Sequence, residues 1–146
     1  MSSDCEILFQ GFSEVQKKGF LDLAIPETYT VQDAIVKVGD TGSDMLIVEA
    51  GVVSVWVHEI KVNEVRSDSV LGISTIIEPH PRTTTLIAET PVRVRLFERS
   101  KMLAYLETLP SKLFHQFFIN AFHIHMKLIQ RCEERVVQLA QELKVL

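Results

Sequence analysis

The chain has 146 residues, 47% of them hydrophobic, which is enough for one domain with a buried core and argues against disorder. Its formal net charge of −4 argues against a nucleic-acid binder, and no apolar run reaches the ~18 residues of a membrane span. The two cysteines, Cys5 and Cys132, are far apart and indicate neither a disulfide framework nor a structural zinc site. Residues 1–6 are polar, unlike a signal peptide, so we expect a cytoplasmic protein that binds neither membranes nor nucleic acid.

A short N-terminal helix is predicted to begin at Ser13. Ser13 and Gln16 have the spacing of a capping box, in which a hydroxyl and an amide side chain satisfy the first free backbone N–H groups of a helix. We expect this helix to run to about Leu23, because Pro26 cannot continue it.

Short apolar runs separated by turn residues follow from Val31 to Phe97. Residues 52–57 and 91–97 alternate apolar and polar side chains, the period of a strand with one buried face. Such runs at ~8–12-residue spacing are typical of a β-sandwich or barrel rather than of a parallel α/β sheet.

Helical patterns return after Ser100, which is predicted to cap a short helix ending near Leu106. Pro110 and Ser111 then start a long helix, because no Gly or Pro occurs between Ser111 and Lys144. At 1.5 Å per residue this helix would reach roughly 50 Å, longer than a compact domain of this size needs. We therefore divide the chain into residues 1–110 and a helical segment, 111–146.

The long helix carries apolar positions in the alternating four- and three-residue steps of a coiled-coil seam. We expect it to form a homodimer through that seam. The alternative is that the helix folds back over its own domain. The predicted interface residues are Phe122, His125, Ile129, Cys132, Val136 and Leu139.

The most informative segment is residues 71–86, where a glycine precedes a short helical run and the sequence Pro81-Arg82-Thr83 follows. The free N–H groups after Gly72 and the guanidinium of Arg82 are suited to bind an anion. The segment resembles the phosphate-binding cassette of the cyclic nucleotide-binding domain family. Four other segments resemble further landmarks of that family in the same order: 8–13, 39–42, 51–55 and 88–92.

The resemblance implies a mainly β, jelly-roll-like fold: an eight-stranded β-roll with a short N-terminal helix and a long C-terminal dimerisation helix. It also implies a non-enzymatic regulatory module that senses a cyclic nucleotide or another small anion, transmits binding through the long helix and needs no other cofactor. The expected ligand-binding residues are Gly72, Ile73, Ser74, Arg82 and Thr83.

The cassette departs from the family pattern at Ile73, where the family carries a glutamate that binds the ribose 2′-hydroxyl. A hydrogen bond to a charged group contributes roughly 1.5–3 kcal/mol, so we expect cAMP and cGMP to bind about ten- to a hundredfold more weakly here. The alternative function is a degenerate domain that binds no nucleotide and serves as a dimerisation or protein-docking scaffold.

Three further interpretations concern Arg82, the two helical histidines and enzyme motifs. Arg82 could instead be a surface arginine paired with Glu78 or Glu89. His123 and His125 lie two apart on a helix and point in different directions, so they cannot chelate one metal ion. The sequence contains no hydrolase, nucleotide-triphosphatase or zinc-protease motif, and we expect neither catalytic residues nor a metal site.

Overall fold

The computed structural model describes residues 2–143, so Lys144 and the end of the segment 111–146 lie outside the described part of the chain. Within it the elements are, in chain order, α1 (Asp4–Leu8), α2 (Glu14–Leu21), β1 (Ile25–Tyr29), β2 (Ala34–Val36), β3 (Met45–Ala50), β4 (Val53–Val57), β5 (Ile60–Val65), β6 (Val70–Leu71), α3 (Ile73–Ile77), β7 (Thr85–Ala88), β8 (Val92–Phe97), α4 (Arg99–Glu107) and α5 (Ser111–Glu142).

The strands form two antiparallel four-stranded sheets, in the orders β1-β8-β3-β6 and β2-β7-β4-β5. Alternation decides which face of a strand is buried: in β8, Val92 and Val94 enter the core, whereas Arg93 and Arg95 point outward toward Glu49 of β3. The predicted mainly β fold of eight strands with a long C-terminal helix is confirmed.

Besides the core between the two sheets, a separate hydrophobic core lies where the helices pack on one end of the strands. Its centre is aromatic: the ring of Phe20 from α2 lies 5.1 Å from that of Phe97 and 5.4 Å from that of Phe117 on α5. Aromatic pairs at these distances bury a large apolar area. This core therefore holds the N-terminal half of α5 against the β-strands.

The N-terminal predictions need three corrections. The capping box is present, with Ser13 accepting from the Gln16 N–H and Gln16 accepting from the Ser13 N–H, but α2 ends at Leu21. An additional helix, α1, precedes it and is capped by Ser3. Pro26 lies inside β1, so the strands begin before Val31. The strand tolerates this proline because β1 lies at the edge of its sheet, where a residue without an N–H can be accommodated.

The two C-terminal helices differ in how they start. Ser100 does not cap α4: the helix begins at Arg99, with Glu98 at the N-cap position and no side-chain cap. The predicted start of α5 after Pro110 is confirmed.

A buried asparagine fixes the middle of α5. Asn120 Nδ2 donates to the backbone oxygens of Leu8 and Gln10, at 3.0 and 3.1 Å. Farther along, the Nε atom of Arg135 lies 3.5 Å from the Lys61 oxygen on β5, so the C-terminal half of α5 runs beside the second sheet. Among residues 2–143, no helix combines the length and the apolar character that a membrane crossing requires.

Candidate ligand-binding site

A cavity of about 550 Å³ lies between the β-strands and α5. This volume falls in the range of small-molecule sites. Its walls come from α3, from the cassette segment that follows it, and from strands on one side, with α5 on the other. The cavity therefore has a fixed wall of β-strands and a second wall made by a single helix.

Gly72 occupies the tightest point of the cassette. Its φ of +84° lies in the left-handed region, and a Cβ atom placed there would lie only 2.6 Å from the Asp44 oxygen, so only glycine fits. The Thr75 hydroxyl donates to the Gly72 oxygen at 2.7 Å. The predicted short helix after Gly72 is confirmed as α3, and no side chain caps its first N–H groups.

Arg82 turns inward at the cavity wall. Its Nη2 donates to the Asp44 backbone oxygen at 2.8 Å, and its Nη1 donates to the Thr75 hydroxyl at 3.0 Å. The alternative reading of Arg82 as a surface residue paired with Glu78 or Glu89 is therefore wrong. Its backbone is also fixed, because the Arg82 N–H donates to the Asp40 oxygen.

The guanidinium of Arg82 is a half-buried cation with no close counter-ion. Among residues 2–143, no carboxylate oxygen lies within 4.0 Å of it. Burial lowers the pKa of Arg82, and the more distant charges of Asp44 and Asp40 oppose that shift. Burial likewise raises the pKa of the Asp44 carboxyl, against the opposing charge of Arg82. An incoming anion would offset the cost of burying this positive charge.

All the predicted ligand-binding residues line this cavity: Gly72, Ile73, Ser74, Arg82 and Thr83. Ile73 is only 3% exposed and also belongs to the core beneath α5, so its side chain is a structural part of the wall. That these residues bind a ligand stays a prediction.

The residues of the predicted helical seam lie in different environments. Four of them line the cavity: His125, Ile129, Cys132 and Val136, the last of which is also 59% exposed. Phe122 is 52% exposed on another face of α5. Leu139, near the C-terminal end of α5, is half-buried. The alternative of a helix folded over its own domain accounts for the first four residues, and a homodimer through the seam stays a prediction.

Two histidines approach the cavity from opposite walls. The Nε2 atom of His80 lies 3.0 Å from the Ser74 hydroxyl, and its Nδ1 atom lies 2.7 Å from the Pro81 oxygen. Burial lowers the pKa of His125 on α5, and the nearby His80 lowers it further. His123 is exposed, so the two helical histidines do point apart.

Several lining residues were missed from the sequence. Thr75 and His80 lie inside the cassette, and their polarity within an otherwise apolar segment was a usable signal. Leu128 and Val137 neighbour seam positions on α5, and a wider apolar stripe would have included them. Asp44 acts through its backbone oxygen, which no side-chain pattern reveals.

The described residues, 2–143, contain no group of three or more His, Cys, Asp or Glu side chains that could hold a metal ion. The polar groups at the cavity include the guanidinium of Arg82, hydroxyls and two imidazoles, with the Cys132 thiol and the Glu133 carboxylate on α5. The arrangement is suited to holding an anion by charge and hydrogen bonds.

Comparison with known sequences finds one family pattern, described as the cyclic nucleotide-binding domain, which matches residues 26–108. A relative from Drosophila melanogaster, the cAMP-dependent protein kinase type II regulatory subunit, is 26% identical over 84 residues. The aligned region covers 58% of this chain and 22% of that protein, so the chain spans under a quarter of the relative's length.

Solved structures share the fold. A cyclic nucleotide-binding domain from Methylobacillus flagellatus KT superposes with a TM-score of 0.80 at 17% identity, covering 92% of this chain and 80% of that one. The c-di-GMP-responsive global regulator of Xanthomonas campestris gives a TM-score of 0.76 at 16% identity, covering 88% of this chain and 65% of that one. At such identities the likeness concerns the fold alone.

Proposed function

This chain belongs to the cyclic nucleotide-binding domain family, and from that premise we propose that it is a non-enzymatic regulatory domain that senses a small anionic ligand in the cavity beneath α5. The observation that carries the proposal is the Arg82 guanidinium, which is half-buried at the cavity wall and has no carboxylate of residues 2–143 within 4.0 Å. A cation in that position makes the cavity selective for anions.

The neighbours of Arg82 already hold its side chain in position for an anion. The guanidinium is oriented by the Asp44 oxygen and the Thr75 hydroxyl, so little side-chain freedom remains to be lost when a ligand arrives. Ser74 and Thr83 add hydroxyl groups at the same cavity. A phosphate or carboxylate would thus find a charged donor and neutral donors together.

Signal transmission would use α5. Its N-terminal half is held by the aromatic core and by Asn120, whereas residues 125–137 contribute one wall of the cavity. A ligand that contacts both walls would favour one position of that wall over others, which is a population shift. The change would pass to a protein partner or to a second copy of the chain.

We also propose a homodimer formed through α5, on a face that shares Phe122 with the seam predicted from the sequence. The exposed apolar residues of α5 that support it are Ile119, Phe122 and Met126, which follow one another at three- and four-residue steps and share one face of the helix. We likewise propose a cytoplasmic location, because Cys5 and Cys132 are both free thiols, which suits a reducing compartment.

Titration calorimetry tests the sensing proposal. The full chain is titrated with cAMP, cGMP and c-di-GMP, and Arg82→Gln and Arg82→Lys are compared with the original. We expect any measured affinity to fall about ten- to a hundredfold in Arg82→Gln and less in Arg82→Lys, which keeps the charge. Arg93→Gln, which removes an exposed arginine from β8, is the matched control and should bind normally. Equal affinity of Arg82→Gln and the original would overturn the anion site.

A second candidate function is a scaffold that binds no ligand. It is favoured by the hydrogen bonds that Arg82 already makes within the protein and by Ile73 at the position of the family glutamate. It predicts no heat and no shift in melting temperature at millimolar ligand, with the dimer intact. Hydrogen exchange separates the two functions, because only the sensor should show altered exchange along α5 when ligand is added.

A further inference from the structure

The lining of the cavity is apolar over most of its extent. Of the 22 residues that line it, 12 are aliphatic, and they come from the strands, from Ile73 and from α5. Removing an alkyl group from water against such walls is favourable by the hydrophobic effect alone. The aliphatic lining residues are Val36, Leu46, Val55, Val70, Leu71, Ile73, Leu86, Ile124, Leu128, Ile129, Val136 and Val137.

Four of the polar lining residues lie together in the cassette segment: Ser74, Thr75, His80 and Arg82. Thr75 is hydrogen-bonded to Arg82, and Ser74 lies within hydrogen-bonding distance of His80. His125 lines the same cavity from α5. The cavity therefore has a polar end with one permanent cation and an aliphatic remainder.

A purine ribonucleotide suits this lining poorly. Among the described residues, no Phe, Tyr or Trp side chain lines the cavity, so a purine finds no aromatic ring to stack on. Within residues 2–143, one carboxylate lines the cavity, that of Glu133, and it belongs to an exposed position of α5. Ribose hydroxyls and base nitrogens placed against aliphatic side chains would lose their hydrogen bonds to water without replacement.

We infer that the ligand of this cavity is an amphiphilic anion, in which one anionic head group contacts Arg82 and an alkyl body of several methylenes lies between the strands and α5. The inference rests on the proposed function, because it names the ligand class of the same cavity. Charge selects the head at the polar end, and the aliphatic walls select the body.

The binding free energy should then separate into a head and a body contribution. Each buried methylene should raise the affinity about fourfold, which corresponds to ~0.8 kcal/mol. Loss of the charged contact at Arg82 should lower the affinity for ligands of every chain length by the same factor, about ten- to a hundredfold. A ribonucleotide has no such series, so the dependence on chain length is specific to this inference.

Calorimetry of the full chain with sodium hexanoate, octanoate and decanoate, each below its micelle-forming concentration, measures the two contributions. We expect about a fourfold gain per methylene for the original chain. Arg82→Gln should shift all three affinities equally and leave the gain per methylene unchanged. Neutral decanol should bind the original chain and Arg82→Gln alike, which also shows that the variant is folded.

A pair of variants on α5 tests the body contribution. Ile129→Gln places a polar amide in the aliphatic wall and should lower the decanoate affinity about tenfold, with a smaller effect on hexanoate. Val15→Gln places the same amide at a side chain on α2 that is 82% exposed and does not line the cavity, and it should leave both affinities unchanged.

Each result has a distinct meaning. An affinity that does not rise with chain length, or that is equal for decanoate and decanol, overturns the inference. Tight, Arg82-dependent binding of cAMP, cGMP or c-di-GMP without binding of decanoate overturns it too, but upholds the proposed sensing function. If neither nucleotides nor alkyl carboxylates bind at millimolar concentration, both the inference and the proposed function are wrong.

Discussion

The Nη2 atom of Arg82 lies 2.8 Å from the backbone oxygen of Asp44, a residue 38 positions earlier in the chain. The same oxygen also lies against Gly72. A Cβ atom on Gly72 would lie 2.6 Å from this oxygen and 3.0 Å from the Arg82 Nη1 atom. Three distant segments thus meet in one close contact at the edge of the cavity. The position of the guanidinium depends on a glycine that makes no contact through a side chain.

Replacing Gly72 with alanine should destabilise the protein more than replacing Gly39. Both glycines have left-handed φ values, +84° and +89°, and each alanine should cost about 1–2 kcal/mol for that conformation. Only Gly72→Ala also brings a Cβ against the Asp44 oxygen, because nothing lies within 4 Å of a Cβ at Gly39. Overpacking adds about 1–3 kcal/mol. Urea unfolding measures both, and equal losses would contradict the close contact.

Replacing Ile73 with glutamate should restore an acceptor at the position of the family glutamate. We expect cAMP affinity to rise about ten- to a hundredfold, measured by calorimetry. Because Ile73 is 3% exposed, the buried carboxylate should lower the melting temperature in the absence of ligand. Ile73→Gln, of the same length and without charge, is the control. If both variants bind cAMP equally well, a carboxylate at this position is not the missing group.

Replacing Asn120 with alanine should loosen the attachment of α5. Asn120 is 1% exposed, and its amide donates to two backbone oxygens, so the variant leaves the Leu8 and Gln10 oxygens without that partner. Each group left unsatisfied costs about 1–3 kcal/mol. Gln116→Ala, which removes only the amide that donates to the Asn120 Oδ1 atom, should cost about 1 kcal/mol. A loss in Asn120→Ala no larger than in Gln116→Ala, by urea unfolding, would argue against this attachment.

Acidification should destabilise the protein through His125. Burial lowers the pKa of His125 below its ordinary value, so the unfolded chain binds a proton at a higher pH than the folded chain does. Its contribution to stability is therefore fully present above about pH 6.5 and is lost as the pH falls toward the folded pKa. Calorimetric melting temperatures should therefore stay level above about pH 6.5 and fall as the pH drops below it, and they should fall less in His125→Gln.

His123→Gln is the control for this effect, because His123 is exposed on the same helix. It should keep the pH dependence of the original chain. The raised pKa of Asp44 acts in the opposite direction, since its folded form binds a proton more readily than the unfolded form, but it does so nearer the ordinary carboxyl range of about pH 4. A pH dependence that survives in His125→Gln would mean that another group is responsible.

Replacing Phe122 with aspartate should weaken the proposed homodimer. Phe122 is 52% exposed on α5, and a charge at the centre of an apolar interface is costly, so we expect the dissociation constant to rise at least tenfold in sedimentation equilibrium. Val15→Asp on α2, at a side chain that is 82% exposed, is the control. A dimer equally stable in both variants would exclude this face, and a monomeric original chain would exclude the homodimer itself.

The sequence was informative where one residue governs a local structure. The Ser13 capping box, the Pro110 start of α5 and the turn at Gly72 each follow from one side chain or its absence, and each is present. The capping hydroxyl of Ser3 belongs to the same class of signal, because a glutamate follows three residues later.

Long-range relationships were less accessible. The four- and three-residue steps of α5 predict that His125, Ile129 and Cys132 share a face, but not whether that face meets a second chain or the domain's own strands. Likewise, Arg82 could be identified as an anion-binding candidate, whereas its contact with the Asp44 oxygen leaves no pattern in the sequence because any residue supplies a carbonyl.

Buried packing holds the first part of α5 as far as Ile124, which is 3% exposed and belongs to the same core as Phe117. About 27 Å of helix continue from Ile124 to Glu142. At that length, a tilt of about five degrees displaces the far end of the helix by about 2 Å. A ligand of modest size beneath residues 125–137 can therefore produce a displacement at the tip large enough for a partner to distinguish.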